Sequence, residues 1–490
     1  VRQAAGRPVI LRDGPLSWRQ VAAVAEGSDL ALSAAARERV LHARRLVQAI
    51  VARGIRGYGV NTGVGALCDV VVESSELKRL SRNIIMSHAV GVGAALEPAA
   101  VRAIIAAAIN NFAHGVSGLR LEVVDALLVL LNEQRPPRVP VQGSVGYLTH
   151  MAHIALALLE NSTAPLVLEA KEGLSLVNGT PCVTGMTALA LSRAERLLDW
   201  ADVVSAMSFE NLRGQAAAFD AQALDLRASP SLSAVGGRLR ALLEDSGILA
   251  AHAGRRTQDP LSLRAIPHVH GAARDLFAHA ARSVDAELAA ATDNPVVLGT
   301  VDEPRVLSQA NAVGAAIGLA ADAFAIAVAE VAAMSERRID RLVNPLVSGL
   351  PAFLATDRGA GSGFMIAQYT AVSLVAENRR LAAPASLDGG ITSGLQEDHL
   401  VHSTPAALKL LGILANAEVI LSIELLAAVQ AYDLQVGEAQ RAPNTDIVYR
   451  AVRRVIAPYR DDRPLSQDIE RAGQLIRGPM AGETAAEEPV

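Results

Sequence analysis

The chain has 490 residues, 51% of them hydrophobic and 19% charged, with a net charge of −5. That balance leaves no basic footprint for nucleic acid. Two cysteines, Cys68 and Cys182, make neither a disulfide framework nor a paired-cysteine zinc site, and they fit a reducing, cytoplasmic setting.

The apolar content is ample for a large core. Length alone suggests about three domains, although a bundle of long helices needs only one or two. The opening stretch "VRQAAGRPVILRDG" (1–14) reads as lacking the apolar core of a secretory signal, and "PVIL" within it is a strand signal. Apolar residues recur every three to four positions in "SAAARERVLHARRLVQAIVARG" (Ser33–Gly54), "EPAAVRAIIAAAINNFAHGVSG" and "RLEVVDALLVLLNEQ", which predicts helices. "RVPVQGSVGYLTHMAHIALALLE" (Arg138–Glu160) begins extended, broken by Pro and Gly, and ends as an apolar helix. "GMTALALSRAERLLDWADVVSAM" and "GAARDLFAHAARSVDAELAAA" continue the helical pattern, and "PVVLGTVDEPRVLSQ" reads as a small hairpin. "VGAAIGLAADAFAIAVAEVAAM" (Val313–Met334) is long enough to suggest a membrane span but carries Asp322 and Glu330. It reads as a central bundle helix, whose small Ala side chains also suit packing between subunits. "PAALKLLGILANAEVILSIELLAAVQAYDL" is a further long helix, and the acidic tail "AGETAAEEPV" is expected to fray.

The fold class is therefore mainly α, a long-helix bundle with a smaller mixed N-terminal domain. A break near Lys171–Thr180 divides the chain into 1–175, which holds the candidate loops, and a helical core over 176–490.

Five loops interrupt the apolar pattern with Gly, Asn and ionisable residues. They are "YGVNTGVG" (58–65), "MSHAVGVG" (86–93), "LVNGTP" (176–181), "QDPLSLR" (258–264) and "TSGLQEDH" (392–399). Loops on a rigid helical scaffold are where chemistry concentrates. Each also has a plainer reading. Tyr58 is equally a packing residue with a satisfied hydroxyl, and His88 a structural histidine. "QEDH" reads as a capped helix start, and Arg264 as a surface ion pair. The pairs His150/His153 and His399/His402 have i,i+3 spacing without a third ligand, so no metal site is expected.

Taken together the loops resemble the histidine ammonia-lyase group of the aromatic amino-acid lyases, in the family's order and over nearly the whole chain. The matching segments also include "VQGSVG", "AKEGLSLVNGT", "TDNPVV", "SERRI" and "SGFMIAQYTA". The resemblance implies the long-helix bundle of the histidine ammonia-lyase/fumarase-like type. It also implies a homotetramer whose active sites are shared between subunits, acting on a small-molecule substrate with no nucleic-acid or membrane partner. It assigns Tyr58 as the catalytic base, Arg264 as the carboxylate clamp with Asn178 beside it, and His88 and Glu397 as the pair around an imidazole ring.

The family's usual electrophile, a methylidene-imidazolone, forms by cyclisation of an Ala-Ser-Gly triplet directly after "GSVG". Here "GSVG" runs into Tyr147-Leu148-Thr149. The family's "DPYSLR" reads "DPLSLR", placing Leu261 where a tyrosine belongs, and "GNFHAEP" reads "QANAVGAA", placing Ala312 where a phenylalanine belongs. Loss of the electrophile requires a substrate with a good leaving group. A quaternary ammonium departs as a neutral tertiary amine, and each factor of ten in rate corresponds to about 1.4 kcal/mol of barrier. The expectation is thus a lyase of the ergothionase type, working without an electrophilic cofactor. It would release trimethylamine from ergothioneine to give thiourocanate. Tyr58 would act as phenolate, lowered by neighbouring positive charge, and Tyr147 either offers a cation–π face to the trimethylammonium or only fills the vacated volume. A histidine ammonia-lyase carrying a methylidene-imidazolone and a catalytically silent scaffold are the competing readings.

Overall fold

The chain is built mainly of helices in a computed structural model that describes residues 8–134, 136–160, 165–357, 359–387, 389–435 and 439–478. The acidic tail expected to fray lies outside the described residues. The contacts divide the chain into two units, each discontinuous in sequence. One comprises Val1–Ser192, His279–Asp322 and Pro384–Leu411; the other comprises Arg193–Ala278, Ala323–Ala383 and Gly412–Val490. A single break near 171–180, as the sequence pattern suggested, is not where the contacts part. Four of the five unit boundaries fall within the helices Pro181–Asn211, Ile266–Ala289, Ala315–Val343 and Ser403–Asp433, and the fifth, between Ala383 and Pro384, falls just after helix Met365–Leu381.

In the first unit, helix Ala34–Ala52 starts where the Ser33 hydroxyl accepts the Ala36 N–H at 3.2 Å, satisfying one of the exposed N-terminal donors. Its buried stripe of Val40, Ala43, Leu46, Val47 and Ile50 follows the helical period. It packs on Val297 and Val306 of the hairpin formed by Val296–Gly299 and Pro304–Leu307. Helix Pro98–Ala113 is buried on nearly every side. The one cation within it, Arg102, donates to the carbonyls of Val24, Ser28 and Leu131, so its charge is never left unsolvated. Two further strand pairs complete this unit: Val9–Leu11 runs parallel with Leu30–Leu32, and Val92–Ala95 antiparallel with Pro140–Gln142. The "PVIL" strand and the hairpin match the sequence reading. Leu30–Leu32 and Val92–Ala95 carry no alternating pattern and were not anticipated. "QEDH" does not start a helix; the helix begins at Ser403.

Polar residues of "AKEGLSLVNGT" form the centre of this unit. Lys171 is fully buried and donates to the Ser117 carbonyl at 2.7 Å, Ser175 Oγ at 2.8 Å and Asp293 Oδ2 at 3.0 Å. All three ammonium donors are thus used, which is the condition under which a buried ion pair is tolerated. Burial pushes the Lys171 ammonium down against the pull of Asp293. Glu172, also buried, accepts from the Arg120 backbone and guanidinium. A Cβ at Gly173 would meet the Ser81 carbonyl oxygen at 2.1 Å, so only glycine fits there.

The second unit repeats the principle with other pairs. Glu424 accepts from Arg338, Ser208 and Ser335, and Glu210 accepts from Ser246, Tyr432, Thr445 and the Ala442 N–H. Asp202 holds His270 at 2.8 Å and Arg274 at 2.7 Å. Three stretches, Glu172–Asn211, Ala315–Val343 and Ser403–Asp433, are long and apolar enough to cross a membrane. The protein itself buries 100%, 67% and 67% of their most apolar windows.

Two outcomes follow from the buried charges. Lys171→Met leaves Asp293 an unpaired buried carboxylate and should cost about 3–5 kcal/mol of stability, read as a fall in denaturation midpoint; an unchanged midpoint contradicts the role given to the pair. Burial holds the imidazoles of His150 and His270 below the ordinary histidine value. The unfolded chain therefore binds more protons as pH falls through about 6.5, and stability present above that pH is lost on acidification. The thermal midpoint should drop between pH 7 and pH 5.5, and a flat profile would refute this.

Candidate active site

Within the first unit, a cavity of about 490 Å³ collects five of the six candidate residues: Tyr58, His88, Tyr147, Asn178 and Glu397. The "YGVNTGVG" segment is a loop tied to itself. Asn61 accepts the Gly57 N–H at 2.9 Å and donates to the Ile55 carbonyl at 3.0 Å, while Thr62 Oγ1 accepts the Gly59 N–H at 3.1 Å. Gly59 has φ +59°, and a Cβ there would lie 2.2 Å from Leu174. These constraints hold Tyr58 half-buried, with its hydroxyl accepting the Gly65 N–H at 3.2 Å.

His88 is the last residue of helix Leu77–His88, and its Nδ1 lies 3.0 Å from Ser87 Oγ. Asn178 caps the C-terminus of helix Glu172–Val177. Its amide donates to the Asn294 carbonyl, and its oxygen accepts the Gly179 N–H at 3.0 Å. Asn294 follows Asp293, the partner of Lys171, and also accepts the Gln309 N–H at 2.8 Å. The buried ion pair thereby braces one wall of the cavity. Asn294 and Gln309 line the cavity, as does Cys68. Asn294 and Gln309 stand in "TDNPVV" and "QANAVGAA", but nothing in those segments marks them as lining residues, and no motif marks Cys68.

At the hinge, Leu148 has φ +78° and ψ −74°, and the Thr149 N–H donates to the Tyr147 carbonyl at 3.2 Å. This is the rare, strained form of the three-residue turn, a conformation costing of the order of 1–3 kcal/mol that persists only where neighbours over-determine it. They do so here. The Leu148 N–H donates to the Val177 carbonyl at 2.9 Å, Ser144 Oγ to the Tyr147 carbonyl at 3.0 Å, and Thr404 Oγ1 to the Gly146 carbonyl at 2.8 Å. The Tyr147 hydroxyl donates to Glu397 Oε1 at 2.9 Å, and Thr392 Oγ1 donates to Glu397 Oε2 at 2.9 Å.

Burial raises the Tyr58 hydroxyl, with the Gly65 N–H opposing and the Glu397 carboxylate adding. Burial and then Glu397 raise Tyr147 well above the usual phenol range. Burial lowers His88. The expected lowering of Tyr58 by nearby positive charge is thus reversed within the unit. The described lining of the cavity contains Asp69, Glu397 and Asp398 but no Lys or Arg.

Arg264, the sixth candidate, is not brought to this cavity. It lies in the second unit and lines a separate cavity of about 620 Å³ with Gln215, Asp259, Leu261 and His268. Its Nε is buried without a hydrogen-bond partner among the described residues. Ala312 is buried in the wall of the Tyr58 cavity, and Leu261 is exposed. Of the four paired histidines, three have ordinary employment: His150 Nε2 lies 3.0 Å from the Val141 carbonyl, His153 accepts the Gly91 N–H at 2.9 Å, and His402 contacts the Gly389 carbonyl at 2.8 Å; His399 lines the Tyr58 cavity.

Comparison with known proteins identifies the family and the fold. The family model "Aromatic amino acid lyase" matches residues 16–454. Histidine ammonia-lyase of Anaeromyxobacter sp. (strain K) is 41% identical, over 95% of this chain and 98% of that protein. Among solved structures, histidine ammonia-lyase from Trypanosoma cruzi is 35% identical with a TM-score of 0.88, covering 96% of this chain and 93% of that one. The ergothioneine-degrading ergothionase from Treponema denticola, solved with desmethyl-ergothioneine sulfonic acid, is 28% identical with a TM-score of 0.87, covering 96% and 98%. The chain belongs to the aromatic amino acid lyase family.

Proposed function

We propose that this carbon–nitrogen lyase eliminates trimethylamine from an imidazole-bearing betaine, ergothioneine, giving thiourocanate without a methylidene-imidazolone. The observation that carries this reading is the hinge. The residues there do not fit the triplet from which that ring forms. Ser144 is flanked by Gly143 and Val145, not by Ala and Gly, and its hydroxyl is committed to the Tyr147 carbonyl. Tyr147 follows directly and sends its hydroxyl to Glu397. A trimethylammonium group needs no electrophile, because it leaves as a neutral amine. The electron pair of the Cβ–H bond becomes the new C=C bond, the C–N pair departs with trimethylamine, and Tyr58 takes the proton.

In this reading His88 and Glu397 face the ring N–H groups, and Asn178 and Arg264 take the carboxylate, a guanidinium fork being suited to it. Tyr147 keeps its place on the cavity wall but gives its hydroxyl to Glu397, which makes a pure cation–π role the weaker assignment. Arg264 is proposed to arrive from another copy of the chain, within a cytoplasmic homotetramer. Support comes from the acidic lining around Tyr58, the unpartnered Arg264 Nε, and the exposed face of Ile366, Tyr369 and Val372 on helix Met365–Leu381. The second reading, a histidine ammonia-lyase, draws on the higher identity to enzymes of that name and retains the same five cavity residues.

Four outcomes test the proposal. Purified protein given ergothioneine and L-histidine separately should form the unsaturated product from the first alone, followed by absorbance; urocanate from histidine would favour the second reading. Tyr58→Phe should lower kcat by about 10²–10⁴-fold. Because burial and Glu397 raise Tyr58, its phenolate fraction grows with pH, so kcat/KM should climb from neutrality into the alkaline range; a decline there would remove Tyr58 as the base. Mixed tetramers reassembled from inactive Tyr58→Phe and Arg264→Gln chains should regain activity if sites are shared. Mixtures no better than either parent would rule out sharing.

A further inference from the structure

We propose that Tyr147 is a positioning residue for Glu397, aimed by the strained turn at Leu148, so that the residue standing at the hinge has become part of the ring-binding apparatus. The inference rests on the reading above that Glu397 accepts a ring N–H from the substrate.

The loop that carries Glu397 has little packing of its own. Ile391 and Leu395 are 64% and 73% exposed, and Ser393 and Leu395 both adopt positive φ, 55° and 74°. Its internal ties are the Thr392 N–H to the Glu397 carbonyl at 2.9 Å, the Glu397 and Leu395 N–H groups back to the Thr392 carbonyl at 3.4 and 3.2 Å, and Thr392 Oγ1 to Oε2. These close the loop on itself without fixing where the carboxylate points relative to the cavity. Among the described residues, the hydrogen bond that reaches the Glu397 side chain from outside the loop comes from the Tyr147 hydroxyl. Tyr147 can aim it because its own backbone is pinned: its carbonyl accepts from both Ser144 Oγ and the Thr149 N–H, and Leu148 is held to Val177. A carboxylate offers about four lone-pair sites. Tyr147 and Thr392 use one on each oxygen, and the remaining acceptors turn toward the ligand. A phenylalanine would fill the same volume and aim nothing, so packing and positioning make different predictions.

The probe is imidazole propionate, which carries the ring and the carboxylate but no leaving group, so its binding is independent of which amine is eliminated. Titration calorimetry on the full chain should show Tyr147→Phe weakening binding about tenfold, as expected for a hydrogen bond to a charged acceptor. In a Glu397→Ala background the same change should move the affinity by less than about twofold, since the acceptor it positions is gone. Leu148→Gly, which tolerates the positive φ at no steric cost, should keep or raise the thermal midpoint while weakening the probe. Equal losses with and without Glu397, or no loss in Tyr147→Phe, overturn the proposal, as does undiminished binding in Leu148→Gly for the role of the turn. Coupling without ergothioneine turnover sinks the substrate assignment alone. Turnover of ergothioneine without coupling sinks the positioning role alone.

Discussion

The buried ammonium of Lys171 is the point on which the candidate site depends. It joins Ser117, Ser175 and Asp293, and the contact to Asp293 leads to a wall of the cavity. Through Asp293 it sets Asn294, and through Asn294 it sets Asn178 and Gln309. Through its own left-handed backbone, φ +70°, it starts the short helix that ends at Asn178. A hydrophobic replacement of similar volume could fill the space, but it would not specify where those amides point. Buried ion pairs contribute little net stability, and their value here lies in fixing one arrangement of neighbours.

Against that rigid wall stands a hinge under strain. The family's chemistry normally asks this hinge for an electrophile, and this chain presents a phenol that reaches a carboxylate. The two arrangements put different demands on the substrate. An electrophile improves a poor leaving group, whereas a site without one accepts only substrates whose amine departs unaided. The phenol at Tyr147, the leucine at 261 and the alanine at 312 are consistent with one change of chemistry, since all three are positions that in the family make or surround the electrophile. The positions expected to hold an imidazole and a carboxylate are kept.

Much of this was legible in the sequence, for physical reasons. Long helices announce themselves by apolar period, and the hairpin by its turn residues. Gly59 and Gly173 stand in motifs because a side chain there collides with Leu174 or Ser81, so the motif spelling records close approach. Strands such as Leu30–Leu32 and Val92–Ala95 were illegible because three or four residues carry no period. Of the two readings open at "QEDH", loop and capped helix start, the second fails because the helix begins at Ser403; an acidic run after a turn looks the same whether it caps a helix or closes a loop. The raised Tyr58 hydroxyl and the link from Tyr147 to Glu397 depend on residues hundreds of positions apart, which local pattern does not encode. Arg264 lines a different cavity, in the second unit, because a motif gives residue identity and order along the chain but not the cavity that a side chain lines.

The central claim is that the hinge carries an unmodified tyrosine where the family builds its electrophile. The most direct measurement is the mass of the purified chain, with peptide mapping across 138–160. The account predicts a mass equal to the unmodified polypeptide, with Tyr147 following Gly146 in the fragment spectrum. A mass deficit from dehydrative cyclisation, or a modified residue between Gly146 and Leu148, would contradict it.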